Sequence, residues 1–178
     1  MTNSVKALDL ALLAEVTLLS SAFGTILANA AAVCLEDQKH NQGVLLTAIG
    51  QYKEEVRIVW PPSDDPMRRT WNDDEVATEY GAYAIAIMLM RHFTGKQVIE
   101  RSKKGNGFDF WLNNADHTDY PFQKSTRLEV SGIRSDASLV DPRYRQKCKQ
   151  ISKYKSESER YVIIIEFSTP IAKTGRVE

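Results

Sequence analysis

Two segments decide the predicted fold: Gly107-Phe-Asp-Phe-Trp-Leu112 and Ser125-Thr-Arg-Leu-Glu-Val-Ser-Gly-Ile133. Each places one carboxylate, Asp109 or Glu129, among apolar side chains. Because alternate residues of a β-strand share a face, both carboxylates are predicted on the same side of a strand pair. On the first strand, the apolar side chains predicted to share the opposite face are Phe108, Phe110 and Leu112.

The chemistry of this acidic pair indicates a metal site. Two carboxylates that converge beside a packed sheet repel each other and resist the loss of water unless a cation or a shared proton neutralises them. Carboxylate oxygens suit hard divalent cations. Asp109 and Glu129 are therefore predicted as ligands of Mg²⁺ or Mn²⁺.

The bulk composition is that of a globular protein with an uneven distribution of charge. The 178 residues are 43% hydrophobic and 26% charged, and the formal net charge is zero. Residues 1–95 hold 7 basic and 12 acidic side chains, whereas residues 96–178 hold 16 basic and 11 acidic ones, which gives −5 and +5. A basic half that also carries the acidic pair favours a polyanionic partner, although a solvated charged surface stays open as the simpler interpretation.

Cysteine usage and the N-terminal segment bear on location. The only two cysteines, Cys34 and Cys148, lack the spacing of metal ligands, so a reducing, cytoplasmic compartment is predicted. The uncharged run of residues 16–35 follows Asp9 and Glu15 and is diluted by polar side chains. We therefore predict no exported leader and no membrane partner.

The first part of the chain predicts helices followed by a hairpin. Residues 5–38 carry apolar side chains at helical spacing, which predicts one long helix or a helical pair with a break near residues 20–24. The hairpin strands are predicted at Gly43–Ile49 and Glu55–Trp60. Paired prolines then end this region, so we predict an N-terminal segment, 1–62, packed on a core, 63–178.

The core has the predicted element order α-β-β-β-α-β. Asn72 as N-cap and Glu75 predict a capping box at the start of a helix that Gly95 ends, and Asp141 is the predicted N-cap of a second, basic helix. The predicted strands are Gln97–Ser102, Phe108–Leu112, Thr126–Ile133 and Tyr161–Phe167. Since the last strand is apolar almost throughout, both of its faces are predicted to be buried, which indicates a mixed α/β sheet flanked by helices.

This order of elements, with an acid on the second strand and a Glu-Xaa-Xaa motif on the third, resembles the PD-(D/E)XK superfamily and its restriction-endonuclease-like fold. The resemblance covers residues 73–167. It implies that Asp109 and Glu129 bind Mg²⁺ or Mn²⁺ and that Glu79, on the preceding helix, assists them. It also implies a DNA substrate and a role in bacterial restriction or phage defence.

Ser131 departs from the motif, because it occupies the position of the lysine that handles the attacking water in that superfamily. A serine hydroxyl brings no positive charge, so another side chain must supply it. The candidate substitutes are Arg127, Arg143 and Lys147, with Lys124 less favoured by strand alternation. Lys147 is preferred, since arginine stays protonated and makes a poor base.

Basic side chains elsewhere are candidates for contacts with DNA phosphates. Those predicted to bind nucleic acid are Arg101, Lys103, Lys104, Arg143 and Lys147. A hairpin tip with solvated charges explains the first three equally well. Glu79 also has a structural alternative, because an acid near a helix N-terminus benefits from the helix dipole.

These observations predict a metal-dependent nuclease that acts on DNA. An alternative keeps the fold and drops the catalysis, which leaves a subunit that binds nucleic acid or protein. The N-terminal helices would then bind a partner protein or a second copy of the chain. A third interpretation is a small interaction protein whose apolar segment 5–38 docks on another protein.

Overall fold

The computed structural model describes residues 5–114, 125–153 and 157–178, and within them the chain forms one mixed sheet with helices. The strands are β1 (Ala7–Asp9), β2 (Val44–Gly50), β3 (Glu54–Val59), β4 (Gln97–Arg101), β5 (Phe110–Asn113), β6 (Thr126–Ile133), β7 (Arg160–Glu166) and β8 (Ile171–Val177). The helices are α1 (Leu13–Val16), α2 (Ser21–Asp37), α3 (Asp65–Thr70), α4 (Asp74–Thr94) and α5 (Val140–Ser152).

The eight strands lie in the order β1-β3-β2-β8-β7-β6-β5-β4. Strands β4, β5 and β6 form an antiparallel meander, whereas β6 and β7 are parallel and are joined by α5. The predicted α/β class with a mixed sheet is therefore confirmed. The elements from α4 to β7 follow one another as α-β-β-β-α-β.

Strand β8 was not predicted. It lies between β2 and β7 and so joins the N-terminal strands to the strands of the core. It pairs antiparallel with β7 and parallel with β2. The β2–β3 hairpin thereby continues the sheet of the core. Pro170 comes directly before β8, and Gly175 lies within it. Because both residues are unfavourable in strands, β8 was not predicted from the sequence.

Helices cover both faces of the central strands. Along β7, Ile163 and Ile165 pack with α2 and α4, whereas Val162 and Ile164 pack with Ile151 of α5. This alternation is the two-residue period of a strand that is buried on both sides. The double burial predicted from the apolar sequence of this strand is thus confirmed.

The N-terminal segment contains two α-helices, but they are separated at residues 17–20 rather than near 20–24, and the segment begins as a strand. Residues 7–9 pair parallel with β3, so the predicted helical start is wrong there. The Ser20 side chain caps α2 by accepting from the Phe23 N–H. Between α1 and α2, the Leu18 N–H donates to the Val98 carbonyl at 3.0 Å and so covers part of the outer edge of β4.

Two predicted helix caps are corrected. Asp73, rather than Asn72, caps α4, because its carboxylate accepts from the backbone N–H groups of Glu75 and Val76. Asp141 lies in the first turn of α5 and is not its N-cap. Gly95 ends α4 with φ of 72°, a left-handed conformation that favours glycine, as predicted.

The second strand of the core is shorter than predicted. Strand β5 begins at Phe110, and the chain before it does not alternate regularly. Phe108 consequently packs on the α5 side against Trp111, whereas Phe110 packs on the α4 side. The prediction that Phe108 shares a face with Phe110 and Leu112 is therefore wrong, and Asp109 lies just before β5.

Among the described residues, none of the helices combines the length and the hydropathy that a membrane crossing requires.

Candidate active site

A cavity of about 770 Å³ opens between α4, the second half of β6 and the start of α5. The lining side chains that carry charge or a hydroxyl include Glu79, Tyr83, Asp109, Ser131, Arg143 and Lys147. Gly132 brings α4 close to β6, because a Cβ atom at this position would lie 2.5 Å from the Thr78 carbonyl oxygen. This close approach places Glu79, the residue after Thr78, at the cavity.

Asp109 is fixed by the two strands beside it. Its N–H donates to the Leu128 carbonyl at 2.9 Å, and its Oδ2 accepts from the Val130 N–H at 2.8 Å. The side chain thus continues the β5–β6 hydrogen bonding beyond the end of β5. Burial raises the pKa of Asp109, and its hydrogen bonds with Val130 and Tyr83 oppose this shift.

Tyr83 joins Asp109 to Glu79. Its hydroxyl oxygen lies 2.6 Å from Glu79 Oε1 and 2.9 Å from Asp109 Oδ1. Burial, and next the charge of Asp109, raises the pKa of Tyr83, so the hydroxyl keeps its proton. Since a hydroxyl has one proton, it donates to one carboxylate at a time, and it can accept a hydrogen bond from the other carboxyl only if that group is protonated. The sequence analysis missed Tyr83, although its spacing of four residues from Glu79 on a helix was a usable signal.

Glu129 is held from the opposite side of the sheet. Its Oε1 accepts from Lys147 Nζ at 2.5 Å and from Gln150 Nε2 at 3.1 Å. Burial, and after it the negative charge of Asp109, raises the pKa of Glu129 to about 7, while Lys147 opposes the shift. The lysine also lowers the pKa of Asp109. Lys147 is therefore an electrostatic partner of both acids.

Asp109 and Glu129 are held by side chains of different helices. Asp109 bonds to Tyr83 of α4, whereas Glu129 bonds to Lys147 and Gln150 of α5. The loop before β5, rather than strand alternation, sets the position of Asp109. Gln150 also donates to the Gly107 carbonyl at 3.3 Å, which ties α5 to that loop.

The candidate substitutes for the motif lysine occupy distinct places. Lys147 binds Glu129, and Arg143 Nη1 donates to Ser131 Oγ at 2.9 Å. Arg127 instead lies over the ring of Phe108, at 5.1 Å from its centroid, and over Trp111 at 5.2 Å. Lys124 lies outside the described residues.

The predicted phosphate contacts divide into two groups. Arg143 and Lys147 line the cavity. Arg101 lies over the rings of Phe23 and Tyr80 on the α4 side, at 5.3 and 5.8 Å. Lys103 and Lys104 are exposed in the turn after β4, and neither they nor Arg101 line the cavity.

The predicted metal ligands have suitable chemistry, and their oxygen atoms already have protein partners. Hard divalent cations prefer carboxylate oxygens, which Glu79, Asp109 and Glu129 provide. Among the residues described, however, no group of three His, Cys, Asp or Glu side chains is arranged to hold an ion. In this structure Asp109 accepts hydrogen bonds from Tyr83 and from the Val130 N–H, and Glu129 accepts one from Lys147. These oxygen atoms could hold Mg²⁺ or Mn²⁺ only after these hydrogen bonds rearrange.

Comparison of the chain with protein-family models, with curated proteins and with solved structures finds no match.

Proposed function

We propose that this protein is a metal-dependent nuclease of the PD-(D/E)XK type that hydrolyses phosphodiester bonds of DNA. The observation that carries the proposal is the joint position of acids and cations at one cavity. Asp109 and Glu79 line it together with Arg143 and Lys147, and Lys147 binds Glu129, which is buried and is not part of the lining. Phosphodiester hydrolysis needs both kinds of charge, since acids hold the metal and cations bind the phosphate.

Each side chain has a role that its position supports. Asp109 and Glu129 would hold the Mg²⁺ or Mn²⁺ ion, with Glu79 in support through Tyr83. The bound ion would polarise the phosphodiester and assist the loss of a proton from the attacking water. Arg143, which Ser131 orients, would bind a nonbridging phosphate oxygen through its guanidinium.

Lys147 supplies the positive charge that the sequence motif lacks. It reaches Glu129 from α5 and is an electrostatic partner of Asp109 as well, which supports a positive charge close to both acids. A lysine in a partly buried site can orient water and balance the charge that develops in the transition state. We therefore assign the role of the motif lysine to Lys147.

Cleavage of plasmid DNA by the purified chain tests the proposal. We expect nicking with Mg²⁺ or Mn²⁺ and none with EDTA. Asp109→Asn and Glu129→Gln should each lower the rate at least about a hundredfold, because each removes a charge that holds the ion. Glu159→Gln is the matched control: it neutralises a glutamate bound to a lysine, Lys96, outside the cavity lining.

Binding of Mn²⁺ without DNA, followed by calorimetry, gives an independent readout. We expect one site that is lost in Asp109→Asn and kept in Glu159→Gln. Cleavage that persists in EDTA, or Mn²⁺ binding that Asp109→Asn leaves intact, would contradict the proposal.

A second candidate function is a binding subunit with the same fold and no hydrolysis. The observation that favours it is the ion pair of Glu129 with Lys147 together with the hydrogen bond from Gln150, which leaves this acid with protein partners rather than a metal. It predicts salt-sensitive DNA binding without turnover. Metal-dependent cleavage that Asp109→Asn abolishes would exclude it.

A further inference from the structure

Two arginines lie side by side on the α5 side of the sheet, outside the lining of the cavity. Arg127 of β6 and Arg160 of β7 are direct neighbours in the parallel register of these strands. Adjacent parallel strands are about 4.8 Å apart, so the two arginine side chains are attached to the backbone at closely spaced positions. Like charges placed this close together repel each other unless an anion lies between them or beside them.

Neither arginine has an acidic partner among the residues described. The Nε atoms of both are buried without a hydrogen-bond acceptor. Glu159, which precedes Arg160, is already bound by Lys96 and by Arg176, the latter at 3.3 Å. A buried N–H without an acceptor carries a desolvation cost, and the described part of the chain leaves the charge of both arginines uncompensated.

The surroundings of the pair add shape to this site. Arg127 lies over the rings of Phe108 and Trp111, and both arginines remain half-buried. Arg160 also lines a cleft of about 240 Å³, whose other charged lining residues are Glu157, Glu159, Arg176 and Glu178. None of these acids forms an ion pair with Arg160 in the part of the chain that the structure describes.

We propose that Arg127 and Arg160 form an anion site that binds a backbone phosphate of the nucleic acid, outside the catalytic cavity. The inference rests on the proposed function, because it names a second contact with the same substrate. Arg127 precedes Glu129 by two residues on one strand, so their backbones are about 7 Å apart. A planar guanidinium pair matches phosphate oxygens in geometry and in charge.

The test is binding of a fluorescein-labelled DNA duplex of 20 base pairs in EDTA, followed by anisotropy at several salt concentrations. Arg127→Gln and Arg160→Gln should each weaken binding about tenfold and reduce the slope of log affinity against log salt by about one. Arg57→Gln, on β3 at the far part of the sheet, is the control and should change neither quantity. Arg127→Lys keeps the charge and should keep the slope.

The outcomes separate this inference from the proposed function. Unchanged affinity and slope in both glutamine variants would overturn the inference, as would the absence of DNA binding by the unmodified chain. The proposed function is tested separately, by Mg²⁺-dependent cleavage. That measurement can be made whatever the result of the binding experiment. If Arg127→Gln does not fold, Arg160→Gln on the neighbouring strand decides the question.

Discussion

Two lysine–glutamate pairs in this protein have the same chemistry and opposite electrostatics. At the cavity, Lys147 binds Glu129, whose side chain is 3% exposed. In what we term the Glu159 cluster, formed by Glu159, Lys96, Arg176 and Thr126, the glutamate side chain is 35% exposed. The pKa of Glu129 is raised, mainly by burial, whereas the hydrogen bond from Lys96 is the first cause that lowers the pKa of Glu159.

The difference lies in the balance of charge around each glutamate. In the Glu159 cluster two cations neutralise one acid, so the carboxylate is satisfied. At the cavity Lys147 is an electrostatic partner of Asp109 as well as of Glu129, and Glu79 is close by. A site with more acids than cations has a deficit of positive charge, which a divalent ion would fill. This comparison separates a structural ion pair from a candidate catalytic one.

The sharpest way to break the comparison is to remove the lysine from each pair. Lys147→Met leaves Glu129 buried without its cation, so we expect the free energy of unfolding to fall by about 3–5 kcal/mol at pH 8. If Lys147 also replaces the motif lysine, DNA cleavage should fall about a hundredfold or more. Urea denaturation and plasmid cleavage measure the two effects.

Lys96→Met is the matched variant. Glu159 keeps Arg176 and contact with water, so a loss of about 1 kcal/mol or less is expected, with cleavage unchanged. Equal losses of stability in the two variants would show that the two pairs are equivalent.

The contributions of Glu129 and Glu159 to stability should change with pH in opposite directions. Glu129 has a folded pKa of about 7, above its ordinary value of 4.5, so its stabilising contribution is complete below pH 4.5 and is lost as the pH rises to 7. The lowered pKa of Glu159 acts in the opposite direction, because its contribution is present above pH 4.5 and is lost as the pH falls through the folded pKa.

Urea denaturation from pH 3 to 8 compares Glu129→Gln with Glu159→Gln. The first substitution should remove a decline in stability between pH 4.5 and 7, and the second should remove a decline at more acidic pH. A Glu129→Gln profile parallel to that of the unmodified chain would show that Glu129 titrates normally.

The amino-acid sequence predicted the parts of the site that depend on local pattern. Glu129 and Ser131 fall on β6 as predicted, because strong alternation and apolar content define that strand. Lys147 was preferred over the arginines because arginine makes a poor base, and it contacts Glu129. Strand alternation failed for Phe108, since β5 starts two residues later than predicted.

Other features depend on contacts distant in sequence, which a local pattern does not contain. Tyr83 lies in an apolar stretch of α4, and only the fold brings Asp109, 26 residues away, to its hydroxyl. β1 has only three residues and forms because β3 supplies a parallel edge. The pairing of Arg127 with Arg160 likewise requires the register of two strands.

The smallest expected effect concerns how tightly the two regions, the cavity and the Glu159 cluster, are packed. At Gly132, beside the cavity, an added Cβ meets the backbone of α4, whereas at Gly175, next to Arg176, it meets the end of the Tyr144 side chain. A backbone cannot rotate away, so Gly132→Ala should lower the free energy of unfolding by about 1–3 kcal/mol. Tyr144 can turn, so Gly175→Ala should cost less, in the same urea measurement. Since α4 carries Glu79 and Tyr83, Gly132→Ala should also weaken Mn²⁺ binding, and equal effects of both variants would show that α4 is free to shift away from β6.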